Sequence, residues 1–486
     1  MVLSQTLRSL VVASAIAFGS AQLSPAVLQS VGFNSSFSLS AAQIAAANLS
    51  DSTVASLNNI LNFDRSQLAN GGPSEDDFYT LPPLTNETGP LEPGILLKAQ
   101  PFTDLTSYAL PPNTALSRIL YTTTNINGTV IPTSAFVLWP FQPRQVQQKK
   151  EAAAPAVLWT HGTSGFFRSA APSSHRALWY GDYAPFALAL AGYAVVAPDY
   201  AGVGISTSWD GTPIPHQYLM SPASARDALY AMQAALEAFP DLLTEEFVTV
   251  GHSQGGGVAW GVAEAIAQDP SLGPGYLGTV AGSPTTDAFS GVPEFIVSWT
   301  SLAMKGIFPD FEPSTVLSPL GIARTALLKE VQGGISASQY LFLTGETIIL
   351  DNYNETWYVD AYSKLANAGR KPAKGPLLVI QGTEDAYVPY SVTAPTVEDT
   401  CALYPETDLE FLVVDGVGHV PVLDASRHTW MQWIEDRFTG KATAGIQCRR
   451  TELNSFLPIE RYQKTGNSFP MWAGAAEYSY ETPLGS

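Results

Sequence analysis

The stretch that most constrains this chain is Gly251-His252-Ser253-Gln254-Gly255. It follows the apolar run Phe247-Val248-Thr249-Val250 and leads into Gly256-Gly257-Val258-Ala259-Trp260, so a strand ends and a helix begins around one serine. Small residues two places before and two places after that serine let strand and helix pass close together, at the cost of a strained serine backbone. Such a turn lifts the hydroxyl clear of the sheet and sets it at the positive end of the following helix. Ser253 therefore reads as a nucleophile. A pentapeptide of this kind also arises by chance, and the partners in the rest of the chain decide between the two.

A serine hydroxyl attacks well only when a base takes its proton, usually a neutral imidazole held in one tautomer by a carboxylate. After a strand-turn-helix serine the chain order is acid, then histidine. The acid candidate is Asp385, in Gln381-Gly382-Thr383-Glu384-Asp385, directly after the apolar Leu377-Leu378-Val379-Ile380. The base candidate is His419, in Asp415-Gly416-Val417-Gly418-His419, after the strand predicted over 409–414. Both stand at the carboxyl ends of strands, on the same edge as Ser253. Glu384 and Asp415 are rival acids, and Asp415, four residues before His419, is poorly placed to reach it. Among the six histidines, His161 belongs to a loop beside the nucleophile and His252 is read as pointing to the other side of the turn. His175, His216 and His428 read as surface or packing residues.

The oxyanion formed in such a reaction needs backbone N–H donors aimed at it, each contributing about 3 kcal/mol. One donor is expected from Gln254, just after the nucleophile. The second is expected from the loop His161-Gly162-Thr163, with Thr163 the choice; the plain alternative is that this Gly-rich loop is only a tight turn.

Along the chain, 1–21 reads as a secretory signal: Arg8, then an apolar run over 10–18, then Gly19-Ser20-Ala21. That run is about half the ~20 residues of a membrane span. Residues 22–94 read as an N-terminal helical extension and arm, with a capping box at Ser40-Ala41-Ala42-Gln43 and a second helix after Ser52. The stretches 117–124 and 130–139 form a hairpin about Asn127-Gly128. A polar loop follows over 142–154. Strands over 156–160, 194–200 and 276–281 alternate with helices over 177–191 and 224–239, and the nucleophile strand and its helix occupy 246–268. That rhythm predicts an α/β fold with a mostly parallel sheet covered by helices on both faces. Residues 95–284 form its first part and 372–440 its second, with helices over 391–403 and 423–438. Between them 285–371 is aromatic-rich and poor in strand patterns, and is expected to cap the site. The tail over 441–486 is too aromatic for simple disorder and is expected to pack on the body, along the edge of the cap.

With 24 Lys+Arg against 43 Asp+Glu the net charge is −19, which argues against nucleic acid and anionic membranes as partners. Five sequons, at Asn34, Asn48, Asn86, Asn127 and Asn354, suit an exported glycoprotein. The two cysteines, Cys401 and Cys448, make an even count for an oxidising compartment and predict one disulfide; two buried thiols are the alternative. His-Glu-x-x-His and a phosphate-loop lysine are missing from the sequence, and the glycines at Gly202 and Gly204 lack the Gly-x-Gly-x-x-Gly fingerprint, so no metal or cofactor is expected.

From about residue 95 to 440 these motifs resemble the α/β-hydrolase superfamily. Ala191-Gly192-Tyr193-Ala194-Val195-Val196-Ala197-Pro198-Asp199-Tyr200, Gly251-His252-Ser253-Gln254-Gly255-Gly256 and Gly282-Ser283-Pro284-Thr285-Thr286-Asp287 resemble the secretory lipase family, of the yeast lipase A type. The resemblance implies a secreted, extracellular acyl-ester hydrolase with a helical lid, no cofactor and no integral membrane anchor. Its substrate would be a lipid or small-molecule ester, met where required at an oil–water interface, with Ser253, Asp385 and His419 as the triad. Feruloyl-type or general carboxylesterase activity is the alternative, and a non-catalytic binding protein of this fold is the alternative from another class.

Overall fold

The computed structural model of the chain describes residues 36–84, 91–146, 153–291, 293–443 and 447–462. The expectations for 1–21, Asn34, Asn86, the lysines at 149 and 150, and the aromatic end of the tail lie outside the described residues.

Helix α1 (Ala41–Ala46) opens with the capping box: Ser40 Oγ accepts from the Gln43 N–H, and Gln43 Oε1 accepts from the Ser40 N–H. Helix α2 (Asp51–Ser66) is capped by Ser50, two residues before the serine read as its marker. Strand β2 (Ala115–Thr124) pairs antiparallel with both β1 (Leu96–Gln100) and β3 (Val130–Trp139). The β2–β3 turn closes on the Asn125 side chain, whose Oδ1 accepts from the N–H groups of Asn127 and Thr129.

The parallel part then begins: β4 (Ala154–Thr160), α3 (Pro185–Leu190), β5 (Ala194–Pro198), α4 (Ser221–Ala238), β6 (Leu243–His252), α5 (Gln254–Gln268) and β7 (Tyr276–Gly282). Four helices interrupt it: α6 (Glu294–Ile307), α7 (Pro319–Val331), α8 (Ile335–Phe342) and α9 (Trp357–Ala366). It resumes with β8 (Leu377–Gly382), α10 (Tyr390–Leu403), β9 (Leu409–Val414), α11 (Pro421–Ala425), α12 (Arg427–Phe438) and β10 (Arg449–Leu453). Among the described residues ten strands form one sheet in the order β1-β2-β3-β5-β4-β6-β7-β8-β9-β10, and every pairing from β5 onward is parallel. Helices cover both faces. Trp430 and Ile434 of α12 pack with Val248, Val280, Ile380 and Leu412 on one side, while α4 and α5 pack Leu229, Met232 and Val262 against Leu158 and Val196 on the other. The chain leaves β4 for β5 on one side and returns to β6 on the other, so a crevice opens at the carboxyl ends of β4 and β6, where open α/β sheets bind ligands.

Several elements differ from expectation. The helix over 177–191 shrinks to Pro185–Leu190 because Leu178, Trp179 and Gly181 all take positive φ, and the His175 Nδ1 draws in the N–H groups of Ala177 and Trp179. The helix over 423–438 is broken at Ser426, whose hydroxyl bonds the Val422 carbonyl. The N-terminal segment packs on the insertion: Leu57, Ile60 and Leu61 of α2 share one core with Phe295, Trp299, Leu328 and Phe342 of the inserted helices. Arg324 of α7 is buried and donates to the carbonyls of Ala47 and Leu341, binding that segment to the insertion. Beyond Cys448 the described tail runs as edge strand β10 beside β9, not along the insertion. Its polar sequence Arg449-Arg450-Thr451-Glu452-Leu453 hides it from a search for apolar alternation, as suits a strand with one open edge.

Candidate active site

Ser253 sits at φ 61°, ψ −124°, between β6 and α5. The crowding there explains its flanking glycines. A Cβ on Gly251 would lie 2.1 Å from the Gly255 carbonyl oxygen, and one on Gly255 would lie 2.0 Å from that of Thr160. Only hydrogen fits at either place, so the strained serine follows from close packing of β4, β6 and α5.

The structure brings Ser253, His419 and Asp385 together. His419 Nε2 lies 2.8 Å from Ser253 Oγ, and His419 Nδ1 lies 2.8 Å from Asp385 Oδ2. A carboxylate only accepts, so Nδ1 carries the proton and Nε2 is left to accept from the serine hydroxyl. The Asp385 side chain is wholly buried, and its Oδ1 accepts from the N–H groups of Tyr387 and Val388 at 3.0 and 2.8 Å. Gln381 Nε2 donates to Oδ2 at 3.1 Å and to the Val388 carbonyl at 2.9 Å. Burial pushes this carboxyl up, but the facing imidazole and the hydrogen bonds it accepts hold it below the usual carboxylate range. The rival acids stand apart: Glu384 is exposed, and Asp415 is exposed and accepts from the Thr383 hydroxyl.

His252 does not point away from the site. Its ring centroid lies 4.7 Å from that of His419, its Nε2 meets the His419 carbonyl at 2.9 Å, and its Nδ1 meets the Tyr180 hydroxyl at 2.7 Å. Burial, then repulsion from the His419 imidazole, lowers its pKa to about 3, so it stays neutral. No motif marks Tyr180 or Gln381 in the sequence.

Thr163 and Gln254 occupy the loop after β4 and the first position of α5. Among the described residues neither N–H has a hydrogen-bond partner; for Gln254 this is the ordinary state of a helix's first turn. His161 Nδ1 lies 2.7 Å from the Gly162 carbonyl. That carbonyl and the Thr163 N–H belong to one peptide plane, so the buried imidazole sets the direction of the donor.

A cavity of about 580 Å³ lies between α2, the loop after β4 and the α7–α8 corner, with Phe37, Leu61, Ser164, Trp179, Val331 and Ile335 among its walls. Away from the site, Cys401 and Cys448 form a disulfide joining α10 to the start of β10. Asn48, Asn127 and Asn354 are exposed. Among the described residues no helix is long and apolar enough to cross a membrane.

Comparison with known proteins bears on the fold. The chain resembles the closed state of Candida antarctica lipase A with a TM-score of 0.60 at 16% identity, covering 79% of this chain and 90% of the other. It resembles the rice cell wall degrading esterase LipA of Xanthomonas oryzae with a TM-score of 0.53 at 20% identity, covering 71% of this chain and 97% of the other. No curated protein matches by sequence. The signature of the Alpha/beta hydrolase family matches residues 157–429, which run from β4 through the turn at Ser253 to the helix after His419. The chain belongs to the α/β-hydrolase family.

Proposed function

We propose that this chain is a secreted serine hydrolase that cleaves carboxylic esters, lipid acyl esters foremost, through an acyl-enzyme on Ser253. The observation that carries the reading is the unbroken chain of two 2.8 Å contacts from Ser253 Oγ through His419 to a buried Asp385. Ser253 Oγ attacks the ester carbonyl while His419 Nε2 takes its proton, and Asp385 stabilises the imidazolium that results. The oxyanion is received by the N–H groups of Gln254 and Thr163, each contributing about 3 kcal/mol to lowering the barrier. Collapse expels the alcohol, which takes its proton from His419. Water then attacks the acyl-enzyme by the same route and frees the acid.

A lipid acyl substrate is supported by the likeness to Candida antarctica lipase A. Each buried methylene adds about 0.8 kcal/mol to binding. The test is hydrolysis of p-nitrophenyl esters from acetate to palmitate, wild type beside Ser253→Ala. Activity that rises with acyl length and disappears in the variant supports the reading. Preference for the shortest chains, with no gain at an oil–water interface, assigns a carboxylesterase on small esters instead. Export belongs to the same reading: protein recovered from the medium is expected to begin at Gln22, and an intact Met1 there would oppose it.

A further inference from the structure

The irregular segment between β5 and α4 carries three consecutive residues whose side chains reach in three directions. Gln217 Oε1 accepts from the Ile126 N–H in the β2–β3 turn at 2.8 Å. His216 is buried, and its Nδ1 donates to the Ala201 carbonyl at 3.0 Å, which leaves Nε2 facing the Gln254 side-chain amide at 3.4 Å. Tyr218 is wholly buried, and its hydroxyl lies 2.9 Å from Thr163 Oγ1. The Tyr218 ring meets Trp299 of α6 edge-on at 5.3 Å, and its carbonyl accepts from the hydroxyl of Tyr362 on α9. Tyr218 therefore touches the candidate oxyanion loop with one end and two inserted helices with the rest.

We propose that Tyr218 is a positioning residue for ester hydrolysis, fixing the Thr163 side chain and with it the oxyanion loop, and tying that loop to α6 and α9. The proposal rests on the ester-hydrolase reading above and goes beyond it in naming what holds the donor still. In the loop Gly162-Thr163-Ser164-Gly165 the glycines are closely packed, a Cβ on Gly162 falling 2.0 Å from the Tyr180 hydroxyl oxygen, whereas Thr163 is only half-buried and its side chain is held by the Tyr218 hydroxyl. His161 fixes one peptide plane of it; the Tyr218 hydroxyl fixes the neighbouring side chain. Donors stabilise a developing oxyanion only if they are in place before the charge appears, and a misplacement of about 1 Å can cost a hundredfold in rate. A tyrosine that merely filled space would do so equally well without its oxygen.

The test uses the full-length protein, p-nitrophenyl butyrate as substrate and an aryl boronic acid as mimic of the tetrahedral intermediate. Tyr218→Phe keeps the ring and removes only the hydroxyl. It is expected to lower kcat about tenfold to a hundredfold, to leave KM within about twofold and the pH dependence unchanged in shape, and to weaken the boronic acid by the same factor as kcat. Thr163→Val is expected to lose as much, the double variant no more than Thr163→Val alone, and Thr163→Ser, which keeps the hydroxyl, to recover most of the rate. A Tyr218→Phe enzyme with kcat within about twofold of wild type, or losses that multiply in the double variant, overturns the proposal. Wild-type activity absent, or untouched by Ser253→Ala, overturns the ester-hydrolase reading instead.

Discussion

His252 meets the backbone carbonyl of His419 through Nε2 at 2.9 Å, so the residue before the candidate nucleophile holds the main chain of the candidate base. A carbonyl only accepts, so Nε2 carries the proton and Nδ1 accepts from the Tyr180 hydroxyl. The ring is therefore locked as one neutral tautomer, and the loops after β4, β6 and β9 meet around it. His252→Ala leaves the His419 carbonyl unpaired and a hole beside it, a loss of about 1–3 kcal/mol in stability. The expected outcome is a lower melting temperature together with a kcat reduced about tenfold or more, because His419 loses its fixed approach to Ser253. Tyr180→Phe is expected to show a smaller loss of both.

Asp385 accepts two backbone N–H bonds and the Gln381 amide as well as the imidazole, so its orientation is set before His419 arrives. Asp385→Asn keeps the shape but presents a donor to Nδ1, forcing the wrong tautomer. A fall in kcat of about a thousandfold to ten-thousandfold, with KM little changed, is the expected result of steady-state kinetics.

The legibility of this site in the sequence follows from the physics of each part. The turn at Ser253, and the positions of Asp385 and His419 after apolar strands, are local patterns, and local patterns survive in a linear reading. The strands β3 and β9 are legible end to end for the same reason. What holds the site is not local. Tyr218 meets Thr163 across 55 positions of sequence and Tyr180 meets His252 across 72, and no spacing announces either pair. His216 and His252 look like ordinary loop histidines until the fold sets them beside Gln254 and His419. The edge strand β10 is illegible for a different reason: its residues are polar because one edge is open and because Arg449 and Thr451 meet Glu410 on β9.

Asp227 on α4 lies wholly inside the protein, with Oδ1 2.7 Å from the Thr123 hydroxyl and Oδ2 accepting from the Ala201 N–H at 3.0 Å. Burial pushes its carboxyl up to about 7, offset only in part by those hydrogen bonds. The folded-state value thus exceeds the unfolded one, about 3.9. Its contribution is complete below the unfolded value and is lost as pH rises through about 7, by up to about 4 kcal/mol. Asp227→Asn mimics the protonated carboxyl at every pH. The melting temperature of the variant is expected to match wild type near pH 4 and to exceed it increasingly up to pH 8. A constant difference across that range would count against the assignment.

The disulfide closes a separation of 47 residues between α10 and the edge strand β10. In the chain-entropy account such a loop contributes about 4 kcal/mol. Replacing both cysteines by serine is expected to lower the urea midpoint and to speed proteolysis within 447–462, while kcat stays within about twofold because neither sulfur touches the site.

If Ser253 is the nucleophile and His419 its base, a fluorophosphonate reagent attaches to Ser253 and does so rapidly only with His419 in place. Mass spectrometry of the labelled protein is expected to find one adduct, on the peptide carrying Ser253. Labelling disappears in Ser253→Ala together with ester hydrolysis, and slows sharply in His419→Ala. An adduct on any other residue, or a Ser253→Ala protein that still hydrolyses esters at the wild-type rate, would contradict the account.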